Sequence, residues 1–248
     1  VRDTPDDIRR RHVIHRLILW NIDLTLVDVA RVSRDAYAEA FRRVTGRPLV
    51  ALPQLAGASD SEIFFESLAL NEAFPSPGHA EDNDLLARYA TELAAAFGAR
   101  SEQLATQGRP LPGAREALAA VSRLPGAIQT VITGTIKQNA AQKLHAFGLD
   151  KYLDLGIGGY GSDVYPKGTQ IVRSLAMAAE KYSVQFTPGH AVYVADSVRD
   201  AAAANVAEVR CLGVATGRST ISELRDAGAD PVLADLADTS RVVAAISR

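Results

Sequence analysis

A single cysteine, Cys211, stands among 248 residues, so neither an internal disulfide nor a cysteine-based zinc cluster can be built from this chain alone. It lies in the apolar run Val209–Val214 and reads as a buried core thiol, which fits a reducing cytoplasm. The five histidines are scattered, and no pair has the spacing of metal ligands. No run of about 18 apolar residues occurs, so no membrane span is expected. Neither sign of charge dominates: 27 Lys and Arg face 29 Asp and Glu, and duplex nucleic acid is not an expected partner. The opening stretch VRDTPDDIRRRHVIH is charged but leads into no secretory h-region. Residues 1–12 are expected to be a tail, and the location cytoplasmic. What remains is an ordinary globular composition, 47% hydrophobic, long enough for one domain with an insertion or for two.

Five short apolar runs read as buried strands: Leu17–Trp20, Ile128–Ile132, Leu153–Ile157, Ala191–Ala195 and Val209–Val214. The later runs are separated by helical segments at Ala114–Ser122, Gln138–Phe147, Gly168–Lys181 and Val198–Val206. Strands that read as continuous apolar runs are buried on both faces, and alternation with helices predicts an α/β fold with a parallel sheet. Between the first and second runs the rhythm breaks. Ser33–Thr45, Ser59–Ala69 and Asp84–Phe97 read as helices, with NEAFPSPGHAEDN as a loop between the last two. The expected division is a core of residues 13–30 and 107–248 and a helical insertion of residues 31–106.

Ligands of open α/β sheets bind at the carboxyl ends of the strands, so the residues just past each run carry the chemistry. Within HRLILWNIDLTLVDVA the first run ends at Asn21, Asp23 and Thr25. The second ends at Thr133 and Gly134, the loop after the third holds Lys167, and the fourth ends at Asp196 with Asp200 behind it. A hydroxyl and a cation can hold phosphate oxygens. A carboxylate such as Asp196 can hold a hard divalent cation, and Asp23 can act as a general acid. The position where a nucleophile belongs carries an amide, Asn21.

The ordered set Asn21-Ile22-Asp23-Leu24-Thr25, Thr133-Gly134, Lys167 and Asp196-Ser197-Val198-Arg199-Asp200 resembles the haloacid dehalogenase (HAD) superfamily. More narrowly it is similar to the phosphatases with a helical cap after the first strand, such as phosphoglycolate phosphatase and β-phosphoglucomutase. The resemblance implies a Rossmann-like core with an inserted α-helical cap domain. It implies that Asn21 occupies the place of an aspartate that attacks phosphorus, and that Asp23 protonates the leaving group. Thr133, Gly134 and Lys167 would then hold the phosphoryl group. Mg²⁺ would be held by Asp196, Asp200, the side chain at position 21 and the backbone carbonyl of Asp23. The loop Gly57, Ala58 and Ser59 would contact substrate, with Ala58 where a basic residue is often found. The expected partner is a small phosphorylated metabolite, bound by a monomer or homodimer.

Asn21 is the serious departure from the pattern, because an amide is a far poorer nucleophile than a carboxylate and brings one less negative charge. Leu24 and Ala195 are milder departures. The expectation is a Mg²⁺-dependent phosphatase arrested at Asn21, whether the amide is engineered as a near-isosteric trap or natural. The alternatives are a pseudophosphatase that binds without turnover, a phosphomutase and a 2-haloacid dehalogenase. Elsewhere, Thr135-Ile136-Lys137-Gln138 reads as a helix cap, with Thr135 as cap rather than ligand. Lys137, Lys143, Lys151 and Arg199 read as surface charges, and Asp28 as a residue near the cap hinge.

Overall fold

The computed structural model describes residues 15–74, 84–163 and 166–248. The tail expected over residues 1–12, and most of the loop expected at NEAFPSPGHAEDN, lie outside these residues. The first apolar run forms strand β1 (Arg16–Trp20), and its alternate residues go to opposite faces. Leu17 and Leu19 join a core with Ile171, Leu175 and Leu224. Ile18 and Trp20 join another with Leu118, Leu144 and Val242. The buried Trp20 keeps a polar tie, its indole N–H donating to Gln129 Oε1 at 3.1 Å.

Strand β1 lies between β4 (Ala127–Val131) and β5 (Ala191–Ala195), and the sheet continues through β6 (Arg210–Val214) to β7 (Val232–Leu233). All neighbouring pairs are parallel, with Trp20 opposite Val131 on one side and Val194 on the other. The order β4-β1-β5 means that the chain crosses to both sides of β1, which opens a crevice at its carboxyl end. Helices α5 (Ala114–Val121), α6 (Lys137–Ala146), α7 (Lys167–Tyr182), α8 (Val198–Val206), α9 (Ile221–Asp226) and α10 (Thr239–Ser247) flank the sheet.

One expected strand does not form. At Leu153–Ile157 the chain instead makes a turn in which Asp154 Oδ1 accepts the Gly156 N–H at 3.0 Å. An aspartate that turns the backbone back on itself takes that segment out of a ladder. In place of a ladder, the segment meets β4 and the residues just after it through the Asp154 N–H to Gln129 O at 2.8 Å, the Thr130 hydroxyl to Asp154 O at 2.6 Å and an isolated bridge in which the Gly159 N–H donates to Val131 O at 2.9 Å and the Thr133 N–H to Gly159 O at 3.0 Å.

The helical insert leaves and returns through a two-stranded antiparallel pair, β2 (Val27–Asp28) and β3 (Arg109–Pro110), tied by an Arg109–Asp28 ion pair at 2.7 Å. Between them run α1 (Ala30–Thr45), α2 (Asp60–Leu70), α3 (Leu85–Gly98) and the unanticipated α4 (Ser101–Gln107). Gly46 ends α1 in the left-handed conformation, and the Ser59–Glu62 capping box starts α2. Phe64 stacks on Tyr89 with ring centroids 4.0 Å apart, joining α2 to α3. Among the described residues no helix is long and apolar enough to cross a membrane.

Candidate active site

The carboxyl ends of β4, β1 and β5 place Thr133, Asn21 with Asp23, and Asp196 around one cavity of about 80 Å³, with Lys167 from the start of α7. That is room for a few water molecules, enough for a phosphate-sized group and little more. The insert closes the other side with Tyr37, Leu55, Gly57, Ala58 and Asp60. Of the loop expected to contact substrate, Gly57 and Ala58 line the cavity. Ser59 instead caps α2 and lines a neighbouring groove. Asp200 lies just behind, fully buried on α8.

Asn21 is 5% exposed, and its amide nitrogen donates to Asp196 Oδ1 at 3.0 Å. The same nitrogen lies 3.3 Å from the Asp23 carbonyl and 3.5 Å from Asp200 Oδ2. Thus oxygens of three residues converge on one point, and an N–H₂ group satisfies them there. Thr25 Oγ1 adds a hydrogen bond to Asp196 Oδ1 at 2.9 Å. Asp200 is held by Lys167 Nζ at 2.5 Å, by Tyr193 Oη at 2.9 Å and by Ser197 Oγ. Burial, reinforced by the Asp200 charge, pushes the Asp196 carboxyl up to about 7. The same burial, with Asp200 beside it, raises the Tyr193 phenol well above its ordinary value.

This oxygen set suits a hard cation such as Mg²⁺ in kind: two carboxylates, a main-chain carbonyl and an amide whose oxygen would face them if turned over. Among the described residues no group of three His, Cys, Asp or Glu side chains forms a metal centre. Any such set would therefore draw on the amide, the carbonyl or water besides the two carboxylates.

The other half of the site holds Asp23, and here two sequence expectations fail. Lys143 is no surface charge. It is 2% exposed, and its Nζ donates to both Asp23 oxygens, at 2.9 and 2.7 Å. It also donates to Thr135 Oγ1 at 2.9 Å and lies over the Phe97 ring. Thr135 is no helix cap either. Ile136 takes that position without a side-chain bond, while Thr135 Oγ1 donates to Asp23 Oδ2 at 2.9 Å. A signal for Lys143 was present. Ala140, Lys143 and Leu144 fall at i, i+3 and i+4, on the face of α6 that turns inward. Lys137 and Arg199 are exposed as expected, Arg199 pairing with Glu62 at 2.7 Å.

Thr133 Oγ1 accepts the Thr135 N–H at 3.2 Å, which leaves its own proton free for a ligand oxygen. Gly134 is where insert and core backbones touch: a Cβ there would sit 2.1 Å from the Ala58 carbonyl oxygen. Asp60, missed from sequence, spans the same contact. Its Oδ1 accepts from Tyr37 Oη and its Oδ2 from the Ile136 N–H, both at 2.7 Å. Burial raises the Asp60 carboxyl, opposed by the Lys143 charge and these hydrogen bonds. Gly217 completes the set, since a Cβ there would lie 1.9 Å from Asp196 Oδ2.

A family model described as haloacid dehalogenase-like hydrolase matches residues 18–205, and a second, HAD-hydrolase-like, matches residues 172–239. Comparison with curated proteins gives no match. Similar solved structures include a hydrolase from Pseudomonas syringae, at 22% identity and a TM-score of 0.64, with 93% of this chain and 97% of that one covered. A predicted phosphoglycolate phosphatase from Haemophilus somnus 129pt follows at 19% identity and 0.65, covering 94% and 99%. A HAD hydrolase of family IA, variant 3, from Entamoeba histolytica gives 16% and 0.67, covering 94% and 100%. At such identities the likeness is one of fold.

Proposed function

Because the chain belongs to the haloacid dehalogenase-like hydrolases, we propose that it has the site of a Mg²⁺-dependent phosphatase of small phosphorylated metabolites, arrested by Asn21 at the nucleophile position. The direction of the Asn21 amide carries this reading. Its nitrogen meets the oxygens of Asp196, Asp23 and Asp200, so the residue sits where a nucleophile would be but presents a donor. An amide has no anionic lone pair to attack phosphorus at a useful rate.

The remaining side chains fit phosphoryl transfer, which depends on positioning and charge neutralisation. Thr133 and Lys167 would hold phosphate oxygens beside Gly134. Asp23, fixed by Lys143 and Thr135, would deliver a proton to the leaving alkoxide. Asn21 through its amide oxygen, the Asp23 carbonyl, Asp196 and Asp200 would hold Mg²⁺. Bound there, the ion supplies positive charge against a phosphate dianion. Two carboxylates at the site, Asp23 and Asp196, have no use in metal-free dehalogenation, which places that alternative behind a phosphatase or a phosphomutase.

The test is release of inorganic phosphate from a panel of small phosphate esters with Mg²⁺, comparing the parent with Asn21→Asp. Turnover by Asn21→Asp and none by the parent is the expected result. Intact mass guards against deamidation of Asn21, which the β-branched Ile22 slows. If neither protein turns over any ester while both bind one, the catalytic reading is wrong. A phosphate-ligand binding protein takes its place, a reading that the hydrogen-bonded Asn21 amide nitrogen already favours as second choice.

A further inference from the structure

The catalytic cavity is too small for more than the phosphoryl end of a substrate, so the rest of the molecule must leave through its mouth. A basic groove lies beside the cavity and shares Leu55 with it. Its volume is about 510 Å³, and it is lined by Arg34, Leu52, Pro53, Gln54, Leu55 and Arg218. Arg34 belongs to α1, whose Ala30, Ser33 and Tyr37 face the cavity. Arg218 follows Thr216, whose hydroxyl donates to the Leu24 carbonyl at 2.6 Å, and Gly217, which packs against Asp196. Both arginines therefore leave from segments that build the cavity wall.

Several other arginines around the insert are engaged, Arg43 and Arg100 with Glu39, Arg109 with Asp28, and Arg199 with Glu62, while Arg31 and Arg42 of α1 line neither the groove nor the cavity. Arg34 and Arg218 are exposed, and among the described residues neither has a hydrogen-bond or ion-pair partner. Among the described residues no acidic side chain lines their groove. Two guanidinium groups without a counter-charge among the described residues, set around Leu52, Pro53 and Leu55, suit an anion on a short carbon skeleton. Each can grip a carboxylate or phosphate through two parallel N–H bonds.

We propose that this groove is a subsite for a second anionic group, a carboxylate or a phosphate, on the leaving-group side of the phosphorylated ligand. The inference deepens the phosphatase reading of the cavity and rests on it.

Calorimetry on the parent chain with Mg²⁺ tests it with four probes: inorganic phosphate, glycerol 3-phosphate, 3-phosphoglycerate and 1,3-propanediol bisphosphate. At least one doubly anionic ester should bind about tenfold or more tighter than glycerol 3-phosphate, the gain expected of charge-assisted hydrogen bonds. Which of the two gains identifies the second group as carboxylate or phosphate. Arg34→Gln/Arg218→Gln should abolish that preference and leave inorganic phosphate binding unchanged; both positions are exposed, and circular dichroism verifies the fold. Equal affinities for all three esters in the parent, or a preference that survives the double substitution, overturns the subsite while the cavity reading stands. No binding of inorganic phosphate by the parent overturns both.

Discussion

Asp196 illustrates what the site costs the fold. Its carboxyl is buried beside Asp200 and pushed up to about 7, whereas in the unfolded chain it titrates near 4. The folded state therefore binds the proton more tightly. Stability falls as pH rises from about 4 to 7 and stays reduced above that, by on the order of 4 kcal/mol at most. Asp196→Asn keeps an oxygen for Thr25 and Asn21 and removes the charge. It should unfold at a higher temperature than the parent at pH 8 without divalent cation, with the gap closing towards pH 4; equal midpoints at pH 8 would show that the buried charge is already compensated. Lys143 is the complementary case. In an Asn21→Asp background, Lys143→Met should lower kcat about 100-fold with KM little changed, because a misplaced general acid loses most of its effect. A KM effect alone would place Lys143 in binding. The strand-end residues that meet in the cavity were legible because a buried apolar run that stops at polar residues marks the end of its strand. The burial of Lys143 could be read from the stripe on α6, but its contact with Asp23, like that of Thr135, could not, because it is made across more than a hundred residues of chain.

At the scale of elements, the insert is fastened to the core where α2 and α6 begin. Asp60 satisfies both the Ile136 N–H and Tyr37 Oη, and its own N–H donates to the Gly134 carbonyl at 2.8 Å. Asp60→Ala strands a buried N–H and a buried hydroxyl together, and should cost about 2–4 kcal/mol in urea unfolding. A loss under 1 kcal/mol would mean that water replaces the carboxylate at this junction. Sequence periodicity found the long helices of both layers, since α1, α3 and α7 each bury one stripe. It failed where local chemistry overrode apolarity, as at Asp154-Leu155-Gly156. It also failed where elements are too short to show a period: β2, β3 and β7 have two residues each. Leu24 belongs with these. It turns the chain after β1 with φ of 59°, a left-handed conformation that disfavours a side chain, and an apolar, Cβ-bearing residue does not announce that.

For the molecule as a whole, the decisive quantity is the charge gathered at the junction of core and insert. Asp23, Asp60, Asp196 and Asp200 meet Lys143 and Lys167 there. The imbalance is moderated because position 21 contributes a neutral donor. Asn21→Asp would add a fifth carboxylate at a site 5% exposed, pointed at the oxygens of three residues that now accept from the amide. Repulsion then replaces attraction. An uncompensated buried charge costs roughly 3 kcal/mol or more. In a chain of this length that corresponds to a fall in Tm of about 6–12 °C. A divalent cation held between the same oxygens would reverse the loss by binding only the folded state. Scanning both proteins with EDTA and with Mg²⁺ should therefore show a parent that gains less from the ion than an Asn21→Asp variant, which is weak without it and recovers with it. If both gain equally from Mg²⁺, the amide oxygen serves as a metal ligand as well as a carboxylate would, and the charge at position 21 is not what the ion needs. If neither responds, Asp196, Asp200 and the Asp23 carbonyl do not form a cation site, and the arrested-phosphatase reading loses its metal.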